Sequence, residues 1–521
     1  MSRRTQLLVF SLLVITAAIV YFQSLQFRAS ELPNGANYRP VDCWFESNKF
    51  MRVECGYMTT RTETHSDATF ELPIVVLRHS LWRNSESPML HIAGGPGGAA
   101  YIDAKIMPFW IQNFIHQDWG IDFVIYDQRG TGLSKPRLTC PDSHSQRLDS
   151  LKTSLTARED SLQFIRQMQE CYEALTQKTS LSQHMQYIST DDSVNDIADL
   201  HSLLGIEQWV LMGVSYGTRL SLEFVRRYPA LVKSMVLDSV YPPRYDGFET
   251  LTENGLRAIE RLLESCRSDV MCDEEHPMLS KRLNDALLAL KAEPLDLSVP
   301  QTEVGKPARG LSLTPHRLIL LLDYASYDSS LLANVPAAIS AVVEGDLQNK
   351  PLLELATNYL EIELFEEFSE PVYMITECKE NGQFSIDELM ERLGPYLDRY
   401  PMLDWSEQAI YSPKMCEQWK DVSISAERDY RKPVVSDIPT LILAGALDSI
   451  TPPEWGRSLA KTLSNSRYLE YPESAHSVLS SSICSNDEVQ VFLNPEIKET
   501  AFCDAEERLV ERSLNLIVWA K

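Results

Sequence analysis

The apolar residues of this chain fall into short strand-type runs separated by helix-period stretches. From Met51 to Thr60 and from Phe70 to Ser80 the pattern predicts an antiparallel strand pair, joined by the polar turn Thr64-His65-Ser66-Asp67. Short buried strands are predicted at Pro88–Ala93, Asp122–Asp127, Trp209–Met212 and Val232–Val240. Helical periodicity lies between them, at Ala157–Gln177 and at Asp191–Leu204, the latter with Thr190 as its expected N-cap. A further helix follows Gly217, with Leu220, Phe224 and Val225 on one face. This alternation predicts an α/β fold with a mostly parallel central sheet flanked by helices.

At Tyr241-Pro242-Pro243 the alternation stops, and the chain up to Pro433 reads mainly as amphipathic helices. Leu251–Cys266, Leu279–Leu290, Pro315–Ala325, Val335–Val343 and Leu352–Leu364 are examples, and the acidic stretch Glu361–Glu370 reads as a solvated face. Strand patterning returns at Pro439–Gly445 and Ser466–Tyr471, and a last helix is predicted near Glu506–Trp519. The expected organisation is therefore an export segment over 1–30, a first part of the α/β core over 31–242, a helical insertion over 243–435 and the rest of the core over 436–521.

Composition narrows the class. A formal net charge of −25 leaves no basic stripe to neutralise phosphates, which excludes nucleic acid as a partner. At the N-terminus Arg3-Arg4 precede the apolar run Leu7–Phe22, the pattern of an export signal or a retained signal anchor. Sixteen helical residues span about 24 Å, short of a hydrocarbon core of about 30 Å, and only an extension to Phe27 would reach across as a tether over residues 7–27. Positive charge before the run places the bulk of the chain outside the cytoplasm, periplasmic or extracellular. Ten cysteines agree with an oxidising compartment, and none forms a C-x-x-C pair that would suggest zinc. Taken in sequence order they give the pairs Cys43–Cys55, Cys140–Cys171, Cys266–Cys272, Cys378–Cys416 and Cys484–Cys503.

The candidate chemistry centres on Gly213-Val214-Ser215-Tyr216-Gly217, which stands between a strand and a helix. A G-x-S-x-G turn there is a nucleophile elbow: it forces the serine into a strained conformation and presents its hydroxyl at a helix N-terminus. A serine nucleophile needs a base and an acid to orient that base, and in this arrangement they follow in the order Ser, acid, His. Asp448 and His476 each stand just past a predicted strand, in that order, with Asp238 as the rival acid. Gly94-Gly95-Pro96-Gly97-Gly98 offers bare backbone N–H groups to an oxyanion, with Gly95 and Tyr216 as the expected donors. Asp127, at the end of its strand, and Arg129, in the turn Gln128–Ser134 that follows, are expected to pin that loop by local ion pairing.

These residues resemble the prolyl aminopeptidase and tripeptidyl aminopeptidase group of α/β-hydrolases from about residue 40 onward. The marks are Gly94–Gly98, Asp127–Ser134, Gly213–Gly217, Asp448 within Leu447–Pro453, and His476, and Cys484 with Cys503 resembles the bridged pair of the exported tripeptidyl aminopeptidase-like branch. The prolyl branch usually carries His before the oxyanion glycines, and Ala93 stands there instead, which weakens the implication of strict proline specificity. The resemblance implies an α/β-hydrolase fold with an inserted, mainly helical cap whose carboxylates hold the substrate's free α-amine; Glu377 and Glu380 fall in the matching region. It also implies a serine peptidase acting on peptides with a free N-terminus, with no metal or cofactor. An esterase or amidase acting on small acyl substrates is the alternative, and a non-catalytic binding protein of the same fold is a more distant one.

Overall fold

Along the central strands, successive side chains part onto the two faces of one sheet. In β4 (Glu71–Arg78), Ile74 and Val76 enter one apolar core while Val75 and Leu77 enter the other. The same period of two divides Leu211 from Val210 and Met212, and Ile442 from Leu441 and Leu443. Strands buried on both faces read as continuous apolar runs, which is why the short runs were legible as strands. The computed structural model describes residues 26–497, apart from 48–50, 62–67, 304, 382–383, 401–412 and 425–429.

The sheet has the order β1-β2-β3-β4-β6-β5-β7-β8-β11-β12. Its antiparallel edge comprises β1 (Ser30–Glu31), β2 (Asn37–Val41), β3 (Arg52–Thr59) and β4. The parallel part comprises β5 (Met89–Ile92), β6 (Phe123–Tyr126), β7 (Trp209–Val214), β8 (Val232–Asp238), β11 (Thr440–Gly445) and β12 (Ser466–Tyr471). All eight strands read from the sequence are present, and β3 pairs with β4 antiparallel as expected. The turn proposed at Thr64–Asp67 and the helix near Glu506–Trp519 lie outside the described residues.

Between β8 and β11 the chain is mainly helical, with long helices such as Gly247–Ser268, Pro315–Tyr324, Lys350–Glu363 and Glu370–Glu380. It also contains an antiparallel hairpin, β9 (Leu295–Val299) with β10 (Arg309–Leu313), which the mainly helical reading of this stretch did not name. The sequence Leu295-Asp296-Leu297-Ser298-Val299 does alternate, and Leu297, Val299, Leu311 and Leu313 are buried. The cap has an apolar core of its own, which runs on into Leu447 and Ala475 of the α/β part.

A buried ionic knot joins the cap to the helix Ala157–Thr176. Asp160 accepts from Ser150, Arg147 and His316 and is paired with Arg317. Arg317 also donates to the carbonyls of Ser150, Leu151, Thr153 and Ser312. Burial alone would raise the Asp160 pKa, but the His316 hydrogen bond and the guanidinium charges hold it well below the usual carboxylate range. The acidic stretch Glu361–Glu370 is not uniformly solvated: Glu363 is half-buried against Arg147, at 2.6 Å, and Glu370 accepts from Ser143.

Disulfides join Cys43–Cys55, Cys140–Cys171, Cys266–Cys272 and Cys378–Cys416, the pairs expected from sequence order. Cys484 is disulfide-bonded too, and Cys503, the partner expected for it, lies outside the described residues. Among the described residues no helix is long and apolar enough to cross a membrane. Residues 7–25 of the expected signal or tether lie outside the described residues. Phe27, to which the span had to extend, belongs to the body of the protein. Its N–H donates to Glu54, and its ring lies under Arg78 and edge-on to Tyr38.

The Asp160 knot gives a direct expectation. Asp160→Asn leaves the buried Arg317 guanidinium without its carboxylate, while Arg147 keeps Glu363, and should cost about 3–5 kcal/mol. Urea denaturation of the variant against the parent protein measures it.

Candidate active site

Ser215 follows β7 directly and caps the helix Tyr216–Arg227, with φ 56° and ψ −125°. Such a conformation is costly for a residue with a Cβ and persists only where the surroundings dictate it. Here they do: a Cβ on Gly213 would stand 2.5 Å from the Gly217 carbonyl oxygen, and one on Gly217 only 2.0 Å from the Ile92 oxygen. Helix and strands therefore meet closer than any side chain allows. The Ser215 N–H donates to the Asp238 carbonyl at 3.0 Å, tying the turn to the end of β8.

The glycine loop after β5 runs beside the serine, for a Cβ on Gly94 would stand 3.5 Å from Ser215 Oγ. Gly95 has φ 112° and is followed by a cis peptide bond to Pro96. Among the described residues, neither the Gly95 nor the Tyr216 N–H is taken up by another group. The first N–H groups of a helix have no partner within it, so that of Tyr216 stays open to an oxyanion. Asp127 holds the loop from behind by accepting from Ala100 at 2.7 Å and from Leu133 at 2.7 Å, and burial pushes its carboxyl up to about 6.

Asp127 and Arg129 do not pair with each other. Arg129 points away and forms a double hydrogen bond with Asp196, at 2.7 and 2.6 Å, and another with the Tyr187 carbonyl. The partner is distant in sequence, which local reading could not reach. Nor is Thr190 the N-cap of its helix: Ser189 takes that place, accepting from the Asp192 N–H, and Thr190 is the first helical residue.

His476 stands in the loop after β12, and its Nδ1 lies 2.9 and 3.1 Å from the two oxygens of Asp448. Asp448 is buried and also accepts from the N–H groups of Ile450 and Thr451 and from the Thr451 hydroxyl, each at 2.8 Å. Burial would raise its pKa, but the charge and hydrogen bond of His476 with those donors hold it below the usual range. Burial would depress the imidazole in turn; the Asp448 carboxylate outweighs it and the net shift is upward.

Asp238, the rival acid, spends its carboxylate on the N–H groups of Val478 and Leu479, both at 2.9 Å, while Ser239 accepts from Ser477. It thus binds the histidine loop to the serine turn and does not contact the imidazole. Burial pushes its carboxyl up to about 6. No hydrogen bond joins Ser215 Oγ to His476 here; such contacts tighten when substrate is bound.

Glu377 and Glu380 are buried on the cap helix Glu370–Glu380, whose preceding residue Ser369 donates its N–H to the Gly97 carbonyl of the glycine loop. Glu377 accepts from Tyr241 and Asn381, and burial pushes it up to about 7. Glu380 accepts from the Thr190 N–H and lies 3.5 Å from Arg219, while Thr190 Oγ1 meets the Tyr216 hydroxyl at 2.7 Å. Sequence reading missed Arg219, a fully buried cation on the elbow helix, although an arginine on the inner side of an apolar helix was a visible signal.

Comparison with known proteins follows the same lines. A family model for the α/β hydrolase fold matches residues 87–259, and one described as TAP-like protein matches 400–500. The chain has the α/β-hydrolase fold, and its relatives of that fold include tripeptidyl and prolyl aminopeptidases. It is 23% identical to a tripeptidyl aminopeptidase of Streptomyces coelicolor over 87% of this chain and 83% of that one. A putative hydrolase of Escherichia coli, YuaR, is 23% identical over 79% of this chain and 80% of its own length. A proline iminopeptidase of Neisseria meningitidis is 24% identical over 35% of this chain and 44% of its own. The protein is a hydrolase with a mostly parallel sheet and an inserted, mainly helical cap.

The raised imidazole pKa has a readable consequence. If His476 is the base it must be neutral to accept a proton, and kcat/KM should then fall as pH drops through a midpoint above 6.5, the ordinary histidine value. Asp448→Asn should move that midpoint down and cut kcat by about 10⁴-fold. A pH–rate profile of both proteins checks it.

Proposed function

We propose that the protein is an exported serine peptidase that cleaves peptides near a free N-terminus. In this reading Ser215 Oγ attacks the carbonyl carbon while His476 Nε2 takes the hydroxyl proton. Asp448 fixes the imidazole tautomer through Nδ1 and stabilises the imidazolium. The N–H groups of Gly95 and Tyr216 receive the oxyanion, and His476 then hands its proton to the departing amine. Water repeats the sequence on the acyl-enzyme, releases the acyl part and restores Ser215.

The observation that carries the peptidase reading over the esterase one is the charge balance beside the elbow helix. Two buried carboxylates, Glu377 and Glu380, share the single guanidinium of Arg219. An ammonium group entering there supplies the second positive charge, and a charge-assisted hydrogen bond in a dry site favours it over a blocked amine. The relatives named tripeptidyl aminopeptidase and proline iminopeptidase support the same substrate class. Four disulfides and the Arg3-Arg4 apolar leader support export.

The test is a panel of aminoacyl and tripeptidyl amides with free N-termini, their N-acetylated twins and short acyl esters. Free amines should be cleaved and acetylated ones spared; equal rates on blocked substrates, or activity on esters alone, would retire the amine site. Ser215→Ala should lower kcat by about 10⁶-fold with an unchanged fold by circular dichroism. Glu377→Gln should raise KM for free-amine substrates by about 10–100-fold and leave turnover of an ester with no amine near the parent value.

A further inference from the structure

Acyl transfer at Ser215 divides the substrate by geometry. The carbonyl oxygen points to the Gly95 and Tyr216 N–H groups, and the leaving nitrogen must face His476, which protonates it. A half-exposed side chain packed against His476 therefore stands on the leaving-group side. That side chain comes from the cap. The Tyr327 ring stands edge-on to His476, 5.5 Å between centroids and 73° between planes. Tyr327 is 43% exposed, whereas His476 is buried.

The ring is held in place from two sides. On the backbone side, the Ser326 carbonyl accepts the His476 N–H at 2.9 Å, and the Ser326 and Ser449 hydroxyls meet at 2.6 Å. The Ala475 N–H donates to Ser329 Oγ at 3.0 Å. On the ring side, Tyr327 packs edge-on to Tyr324 at 5.9 Å, and Tyr324 rests on the fully buried Tyr359 at 5.6 Å. An aromatic column thus runs from the cap core to the base and ends in one half-open ring. Rigid aromatic surface binds apolar side chains at little entropic cost.

We propose that Tyr327 is a specificity residue that receives the side chain of the first residue on the leaving-group side and selects an apolar or aromatic one there. The inference rests on the Ser215–His476 reading.

The experiment uses the full-length protein and peptides that share one free-amine acyl part and differ only in the residue after the scissile bond: Phe, Leu, Gly or Asp. The parent protein should prefer Phe and Leu over Gly in kcat/KM by about tenfold. Tyr327→Ala should compress that ratio to about twofold, and Tyr327→Phe, which keeps the ring, should retain it. Hydrolysis of the acyl-enzyme formed from an ester of the same acyl part has already lost its leaving group, so its rate should be the same in all three proteins. A preference that survives in Tyr327→Ala overturns the proposal. So does an equal loss on every peptide and in acyl-enzyme hydrolysis, which would mark Tyr327 as structural only. Full turnover in Ser215→Ala would instead sink the underlying mechanism. If esters are the substrates, benzyl against methyl esters of one acid put the same question to Tyr327.

Discussion

The strained turn at Ser215 is the constraint on which the rest of the structure depends. A serine at φ 56° and ψ −125° survives only because strand and helix are pressed together at Gly213 and Gly217. That contact in turn needs a sheet rigid enough to press against, which the doubly buried strands supply. The apolar runs along the chain thus have a chemical result. They make the platform on which one hydroxyl can be held outward beside two open N–H groups.

Around that turn, buried charged groups perform the joining that apolar packing does not specify. Asp238 uses its carbonyl for the serine turn and its carboxylate for the histidine loop. Asp127 fastens the glycine loop, Arg129 reaches Asp196, and Asp160 knots the cap to the core. Each is directional, so a shift of one partner leaves a buried charge exposed to its own desolvation cost. A hydrolase whose candidate reacting groups come from separate loops gains its precision from such ties.

The sheet and the candidate triad were legible in the sequence because their signals are local: continuous apolar runs, a glycine-flanked serine, and acidic and histidine residues just past strand ends. What escaped depends on distant neighbours. Arg129 looked like a partner for Asp127, two residues away, but the fold brings Asp196 to it. Ser189 and Thr190 are both able caps, and only the backbone direction at the helix start selects Ser189. The β9–β10 hairpin is too short for its alternation to stand out among helices. Tyr327 carries no signal at all, since its place beside His476 is set by the docking of the cap.

The hydrogen bond from the His476 N–H to the Ser326 carbonyl bears on how proteins of this kind can diversify. His476 is positioned partly by the insertion, and the apolar core of the cap continues into Leu447 and Ala475, next to Asp448 and His476. Cap and core are therefore not interchangeable modules. A cap transplanted from a relative would have to bring a carbonyl and an apolar face of matching position, or His476 would lose its seat. New substrate preferences are then more accessible through single side chains on the resident cap than through recombination of whole domains.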